Sequence, residues 1–377
     1  MKSISMKIVD YWHAEESEEK FYDDIFIKIL STKYDIKYSD KPDFLLYGPF
    51  GYRHMDFDNC IKIFFTGENV RTDWNVADYA LDFDLMDFGD RHLCLPLYVL
   101  YTMDFIRALE KHKNAENIME SKSRFCGFLA SNPGGDPYRE KLFHAINSYK
   151  RVDSGGLWLN NIGKPLGREG GFPDSKFNWL KHYKFNLAPE NSTYPGYVTE
   201  KIIQAYGSGC VPIYWGDHSI CDEKYCDKRF VFNPKAFINV HNFDNFENLI
   251  DAIRRIDNDE EAYFNMLKEP IFIDLECGKN LDSKTDHKDM QKLLWDIWPD
   301  SGDFPNHIYI YIYIYMVRKR ILDFFSNIFD SSNPKRVPYA HFTIQAQKDK
   351  KDYSLMTRLK NKNKKFIPKP FRRFFWV

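Results

Sequence analysis

Long apolar runs are absent from this sequence, although 44% of its 377 residues are hydrophobic. No stretch of 18 apolar residues occurs, and Asp10 and Glu15 interrupt the first residues before the core of a signal peptide is complete. The sequence therefore predicts neither a membrane span nor secretory entry. The length of the chain predicts two domains rather than one.

Cysteine is scarce and shows no repeated spacing. Seven cysteines, an odd number, indicate thiols in a reducing compartment and not a disulfide framework. Cys221 and Cys226 have no matching Cys or His pair at zinc-finger spacing, so no metal site is predicted. We expect a cytoplasmic protein, in which the sequon at Asn191 carries little weight as a glycan acceptor.

Acidic residues are missing from positions 357–377, whereas the whole chain has a net charge of -1. This segment is typical of one that lies on anionic lipid headgroups, because aromatic residues interleave with its basic residues. A disordered solubilising tail and a nucleic-acid-binding segment are the alternatives, and we expect the membrane surface and not nucleic acid. The basic residues are Arg358, Lys360, Lys362, Lys364, Lys365, Lys369, Arg372 and Arg373, and the aromatic residues are Phe366, Phe371, Phe374, Phe375 and Trp376.

Short apolar runs alternate with amphipathic runs along most of the chain. MKIVDYW, DFLLYG and IKIFFTGEN stand between helical segments in the first third, and a second strand and helix series starts with FCGFLASN at Phe125. This alternation indicates parallel sheets covered on both faces. We predict two Rossmann-like, doubly wound α/β domains facing a central cleft, at residues 1–120 and 121–300, followed by a third segment at 301–377.

The third segment contains the run IYIYIYIY at residues 308–315. Strict alternation places Ile and Tyr on opposite faces of a strand. A low-complexity insertion is the alternative interpretation of this run.

Open parallel sheets bind ligands beyond the carboxyl ends of their strands, so residues just after a strand or just inside the next helix are the first candidates for a site. Arg139 lies in the first predicted turn of a helix that begins after Asp136, where the helix dipole favours an anion. Glu200 and Lys201 occupy the first turn of a helix capped by Thr199. The positive charge of Lys201 is unfavourable at the N-terminus of a helix, where the dipole is also positive. A bound anion would compensate for this repulsion.

Glu68 follows the apolar strand IKIFF of the first domain. We expect buried surface beside it to raise its pKa, which suits a general base. Each candidate also has an ordinary structural interpretation: Arg139 and Lys201 as exposed cations, Glu200 as a complement to the helix dipole, and Glu68 as a solvated loop carboxylate. The spacing of these residues leaves both interpretations open.

One long segment, residues 184–217, reads KFNLAPENSTYPGYVTEKIIQAYGSGCVPIYWGD. It closely resembles the signature of the α-1,3/4-fucosyltransferase family, glycosyltransferase family 10. Further matches are FFTGEN at 64–69, DYALDFD at 78–84, VDSGG at 152–156 and FNPKAFINVHNF at 232–243. The layout is similar to that of bacterial members, which are cytoplasmic and dock on the inner membrane by a basic C-terminal tail.

The resemblance implies a GT-B type fold in which the second domain holds GDP-fucose and the first presents the acceptor. It implies inverting transfer of L-fucose to O3 or O4 of N-acetylglucosamine in an N-acetyllactosamine-type glycan. No cofactor is required, because side-chain cations replace a metal, although divalent ions can stimulate turnover. The implied roles are general base for Glu68, phosphate contacts for Arg139 and Lys201, a ribose contact for Glu200, and positions near the nucleotide for Asn191 and Tyr197.

Two departures from the family pattern bear on the donor pocket. Ala188 and Pro189 replace a bulkier pair before Glu190-Asn191, and Leu157 and Trp158 follow VDSGG where a polar or basic residue is common. Transfer from another GDP-sugar and a catalytically silent glycan-binding relative are the alternative functions.

Overall fold

A computed structural model describes residues 1–12, 17–166, 174–222, 231–273, 308–332 and 334 of the chain. The predicted C-terminal tail, 357–377, lies outside these residues, as does Cys226. The described chain forms two parallel sheets with helices packed against them, which confirms the α/β prediction.

The first sheet consists of β1 (Ser3–Val9), β2 (Asp35–Tyr38), β3 (Phe44–Tyr47), β4 (Ile61–Phe65), β5 (Tyr79–Asp82) and β6 (His92–Cys94). All neighbours pair in parallel, in the order β2-β1-β3-β4-β5-β6. Every residue of β4 is buried, as expected for a strand covered on both faces.

The second sheet consists of β7 (Arg124–Phe128), β8 (Val152–Ser154), β9 (Tyr183–Pro189), β10 (Val211–Trp215) and β11 (Ile238–Asn239). Its strands are also parallel, in the order β11-β10-β9-β7-β8. The first three strands of each sheet are therefore arranged alike. In the first sheet, β1 lies between β2 and β3, and in the second sheet β7 lies between β8 and β9.

The helices are α1 (Glu18–Asp23), α2 (Ile25–Leu30), α3 (Thr102–Glu110), α4 (Ala115–Glu120), α5 (Tyr138–Tyr149), α6 (Asp174–Leu180), α7 (Glu200–Gly207), α8 (Phe246–Asn258), α9 (Glu260–Lys268) and α10 (Ile308–Phe329). Short 3-10 helices occupy Arg53–Asp56, Gly89–Arg91, Leu97–Leu100, Lys111–Asn114 and Val240–Asn242.

One apolar cluster extends across both halves, because α3 of the first half packs on α7 of the second. Phe105 and Ile106 of α3 are buried in the same cluster as Ile202, Ile203 and Tyr206 of α7. α7 also carries two of the predicted site residues in its first turn, so the contact between the halves supports the helix on which those residues stand.

The strand interpretation of residues 308–315 is wrong, because these residues begin the helix α10. The physical reason lies further along the chain: Ile321, Phe324, Phe325 and Ile328 recur at helical spacing, and all four are buried against the first half. Helix formation is cooperative, and a packed stripe propagates the helix into the alternating run. Within the described residues, no helix has both the length and the hydropathy to cross a bilayer.

Candidate donor and catalytic site

A cavity of about 340 Å³ opens at the carboxyl edge of the second sheet. β7 and β9 are neighbours there, but the chain leaves β7 towards β8 and leaves β9 towards β10, which is the switch point where open parallel sheets bind ligands. The cavity brings together five of the six predicted site residues, namely Glu68, Arg139, Asn191, Glu200 and Lys201. Glu68 comes from the first half, so the cavity lies between the two halves.

Glu68 stands on a turn held by the side chain of Thr66. The Glu68 N–H donates to Thr66 Oγ1 over 2.9 Å, and the same hydroxyl donates to the Glu68 carbonyl over 3.0 Å. Burial raises the pKa of the Glu68 carboxyl, although nearby Lys201 and a hydrogen bond from the Asn191 side chain act in the opposite direction. A carboxylate with a raised pKa at the mouth of a cavity is suited to accept a proton.

Arg139 lies in the first turn of α5, as predicted, and only 2% of its surface is exposed. Its guanidinium lies 4.8 Å from the ring centroid of Trp158, so the residue that departs from the family pattern packs on this cation. Arg139 Nη1 donates to the Asn132 carbonyl over 3.4 Å. Its buried Nε has no hydrogen-bond partner among the described residues, and such a donor favours binding of an anionic ligand.

The loop before α5 is hydrogen-bonded to the segment that follows β9. The Asp136 N–H donates to the Asn191 carbonyl over 2.7 Å, and Asp136 Oδ1 accepts from the Tyr138 N–H over 2.9 Å. A side chain on Gly135 would overlap Arg139 Nη1 and would place its Cβ 2.8 Å from the Asn191 carbonyl oxygen. The close approach of Arg139 to this loop therefore requires glycine.

Glu190 follows β9 directly, is fully buried and organises the start of α7. Its carboxylate accepts from the Thr199 N–H over 2.8 Å, from Thr199 Oγ1 over 2.6 Å and from Lys201 Nζ over 2.9 Å. Thr199 is the N-cap of α7, as predicted, but its hydroxyl faces Glu190 instead of capping the helix. Despite desolvation, the carboxylates of Glu190 and Glu200 raise the pKa of Lys201.

Two lysines flank Glu200 in the cavity. Despite burial, the charges of Lys201 and then Lys176 lower the pKa of Glu200, which keeps it ionised and able to accept hydrogen bonds. Lys176 comes from α6 and donates to Gln204 Oε1, and Gln204 Nε2 donates to Asp104 Oδ2 over 2.7 Å. Asp104 belongs to α3, so a hydrogen-bonded chain connects the first half to a lysine that lines the cavity.

Tyr197 lies beneath the cavity and does not line it. Only 2% of its surface is exposed, and burial raises the pKa of its hydroxyl, followed by the charges of Glu190, Glu68 and Glu200. Its ring packs on Phe83 of the first half at 5.3 Å between centroids. This position supports the loop that precedes α7.

Sequence reasoning missed Glu190, Lys176 and the contact of Trp158 with Arg139. Glu190 could have been found from the sequence, because it is the first residue after β9. Residues directly after a strand are the first candidates for a ligand site in an open parallel sheet. Lys176 carried none, because it reaches the cavity from the helix before β9. Ala188 and Pro189, the other departure from the family pattern, are part of the cavity wall.

Within the described ranges, no group of three or more His, Cys, Asp or Glu side chains is arranged to hold a metal ion. The requirement for no cofactor stays a prediction.

Two family models match most of the described chain. Residues 6–101 match the N-terminal domain of the α-(1,3)-fucosyltransferase FucT, and residues 119–269 match the C-terminal part of glycosyltransferase family 10 (fucosyltransferase). The chain belongs to glycosyltransferase family 10. The family predicted from residues 184–217 is therefore confirmed.

Curated relatives of this chain differ in the linkage that their names state. The α-(1,3)-fucosyltransferase FucT of Helicobacter pylori is 34% identical over 302 residues, which are 71% of this chain and 60% of that protein. The α-(1,4)-fucosyltransferase of Arabidopsis thaliana is 31% identical over 168 residues, which are 41% of this chain and 38% of that protein. The chain thus spans less than two thirds of the length of both relatives.

Solved fucosyltransferase structures share the fold. An α1,3-fucosyltransferase crystallised with GDP aligns with a TM-score of 0.64 at 29% identity, over 89% of this chain and 93% of that one. An α1,3-fucosyltransferase with GDP-fucose aligns with a TM-score of 0.59 at 30% identity, over 81% of this chain and 94% of that one. The predicted GT-B type arrangement of two parallel sheets is confirmed.

Proposed function

We propose that this chain is a fucosyltransferase that moves L-fucose from GDP-fucose to a hydroxyl of an N-acetylglucosamine-containing glycan. The observation that carries the proposal is the shared cavity, in which one carboxylate with a raised pKa, Glu68, meets the cations Arg139 and Lys201. The solved relatives crystallised with GDP and with GDP-fucose support the same donor.

GDP occupies the charged side of the cavity in this proposal. Arg139, Lys176 and Lys201 supply positive charge to the diphosphate, and the N-terminal turns of α5 and α7 add their dipoles. The ionised carboxylate of Glu200 accepts hydrogen bonds from the ribose hydroxyls, as acidic residues do in other nucleotide-binding sheets. Asn191 orients Glu68 through its side-chain amide.

The reaction is a single displacement with inversion. Glu68 takes the proton of the acceptor hydroxyl while the acceptor oxygen forms its bond to the anomeric carbon of fucose. The bond between that carbon and the β-phosphate oxygen breaks, its electron pair leaves with GDP, and the β-linked donor becomes an α-linked product. Arg139 and Lys201 stabilise the charge that grows on the phosphate. No metal ion enters this mechanism.

The acceptor oxygen is O3 or O4 of the N-acetylglucosamine unit in an N-acetyllactosamine-type glycan. Relatives with α-(1,3) and with α-(1,4) in their names both match this chain, so both positions belong to the proposal. The direct test supplies GDP-fucose with type 1 and type 2 disaccharides and resolves the products by linkage in NMR spectra. An α-fucosyl product at O3 or O4 is expected. Transfer from GDP-mannose in preference to GDP-fucose, or no transfer at all, would contradict it.

The basic tail at 357–377 supports a second proposal, which concerns location. Eight basic and five aromatic residues without an acid favour peripheral attachment to an anionic membrane surface. Together with the resemblance to bacterial family members, this composition supports our proposal that the enzyme is cytoplasmic and lies on the cytoplasmic face of the inner membrane.

A further inference from the structure

The first sheet has a switch point of its own. The chain leaves β1 towards β2 and leaves β3 towards β4, while β1 and β3 are neighbours. Ligands of open parallel sheets bind at such a point. The segments that follow these two strands carry three exposed aromatic residues, Trp12, Phe50 and Tyr52, which are 43%, 51% and 54% exposed.

Trp12 packs against the backbone of the turn that carries Glu68. Its ring is fixed by Tyr11 at 5.0 Å and by Phe65 at 5.6 Å between centroids, the latter in an edge-to-face arrangement. A Cβ on Gly67 would lie 3.0 Å from Trp12 Cζ2, so the indole rests on the backbone immediately before Glu68. A large apolar ring is therefore exposed one residue away from the proposed base.

Hydrogen bonds connect the loop after β3 to Asp10, which follows β1. The buried carboxylate of Asp10 accepts hydrogen bonds from the N–H groups of Arg53 and His54, over 3.0 and 2.9 Å, and from His54 Nδ1 over 2.7 Å. The Asp10 carbonyl accepts from the Phe50 N–H over 3.1 Å. The exposed rings after β1 and β3 thus belong to a preorganised surface.

We propose that Trp12 is the stacking ring of the acceptor subsite. The pyranose that carries the accepting hydroxyl lies with its apolar C–H face on the indole and directs that hydroxyl towards Glu68. Phe50 and Tyr52, at the same switch point, contact further sugar units of the glycan. The identity of the acceptor rests on the proposed function, but the subsite itself rests on the position of Trp12.

Sugar chemistry fits this surface better than a second nucleotide does. A pyranose offers a face of C–H groups to an aromatic ring and keeps its hydroxyls at the rim, where water or polar side chains satisfy them. Tyr101, which is 38% exposed, has its hydroxyl within the electrostatic range of Glu68. Burial raises the pKa of this hydroxyl, and the negative charges of Glu200, Asp104 and Glu68 raise it further. Glu68 therefore has an exposed indole on its own half and a phenol hydroxyl nearby.

The test compares Trp12→Ala and Trp12→Phe with the wild-type full chain. Loss of the ring is expected to raise the KM for N-acetyllactosamine by roughly ten-fold, which corresponds to about 1.4 kcal/mol, because the apolar face of the pyranose loses its contact with the indole. The KM for GDP-fucose and the slow hydrolysis of GDP-fucose without acceptor stay at the wild-type level, since Trp12 is outside the donor cavity. Trp12→Phe recovers most of the acceptor affinity.

Phe88→Ala is the matched control, because Phe88 is 39% exposed in the same half but packs on Trp74 at 4.7 Å and not against the Gly67 backbone. It is expected to keep the wild-type KM for the acceptor. A wild-type acceptor KM in Trp12→Ala, or an equal loss in Phe88→Ala, overturns the subsite.

A glycan array separates this inference from the proposed function. If the wild type transfers no fucose but binds glycans that Trp12→Ala no longer binds, the subsite stands and the function fails. If the wild type transfers fucose and Trp12→Ala is unaffected, the function stands and the subsite fails. A wild type that neither transfers fucose nor binds any glycan overturns both.

Discussion

At the scale of single residues, the cavity that we propose for the donor is an arrangement of buried and partly buried charges that hold one another in place. Lys201 is paired with Glu190, Glu200 is flanked by two lysines, and Arg139 keeps a buried N–H without a partner among the described residues. A charge that is removed from water loses the free energy of its hydration. Attraction to a ligand of opposite charge offsets part of this cost. The cavity is therefore prepared for an anion before any anion binds.

Lys176 tests this view, because sequence reasoning did not find it. Lys176→Met keeps the length of the side chain and removes its charge, so GDP affinity is expected to fall about ten-fold, as for loss of one charge-assisted hydrogen bond. Calorimetric titration with GDP measures the change.

Lys181→Met is the control for this variant. Lys181 follows the same helix, is exposed and donates to Asn178 over 3.3 Å. GDP affinity equal to that of the wild type in both variants would remove Lys176 from the donor site.

At the scale of secondary-structure elements, the sequence predicted best where a buried strand meets a helix start. Arg139 lies in the first turn of α5, and Glu200 and Lys201 lie in the first turn of α7, because the capping residues and the strand ends before them are local signals. The cavity itself was not predictable at this level, since Lys176 reaches it, and Trp158 packs on Arg139, only through tertiary contacts. The helix α10 was missed for a similar reason: its local alternation resembles a strand, whereas its packing on the first half is helical.

Asp24 gives a test at the same scale, because it caps α2 from a buried position. Its carboxylate accepts from the Phe26 and Ile27 N–H groups, and burial raises its pKa to about 6. A carboxyl whose pKa is raised by folding binds its proton more tightly in the folded state, so this group lowers stability as pH increases from about 4 through about 6.

Asp24→Asn keeps the cap and removes the buried charge, since Asn caps helices as well as Asp does. The melting temperature is expected to increase at pH 8 and to change little at pH 4, where the wild-type side chain is protonated. Thermal unfolding followed by circular dichroism at both pH values measures this. A variant that is equally destabilised at both would show that the charge is not the cause.

At the scale of the whole molecule, we expect α10 to stabilise the fold and the basic tail to act only in membrane attachment. Ile321, Phe325 and Ile328 of α10 are completely buried, and Phe324 and Phe329 nearly so. Each large apolar side chain contributes about 1.5–3 kcal/mol when buried, and a domain has only about 5–15 kcal/mol in total. Truncation before residue 308 is therefore expected to abolish cooperative unfolding.

Truncation before residue 357 keeps α10 and removes only the basic tail. We expect this variant to unfold cooperatively and to fucosylate a soluble disaccharide within a few-fold of the wild-type rate, but to stay in the supernatant when anionic liposomes are sedimented. Zwitterionic liposomes are the control, because they are expected to bind neither chain. If the shortened chain still sediments with anionic liposomes, the tail is not the attachment segment.

The central claim is that Glu68, from the first half, acts as the base for a donor held by the second. Glu68→Gln retains the size of the side chain but cannot accept the proton, so fucose transfer to N-acetyllactosamine is expected to fall roughly 100-fold or more. GDP affinity is expected to stay unchanged. Because burial raises the pKa of Glu68, wild-type activity is lost on acidification at a pH above the range of an ordinary glutamate, and the variant lacks this limb.

The decisive measurement is the initial rate of fucose transfer by wild type and Glu68→Gln across pH, with GDP titrations of both proteins. The account predicts a large loss of rate at constant GDP affinity. Near-wild-type turnover in Glu68→Gln would contradict it.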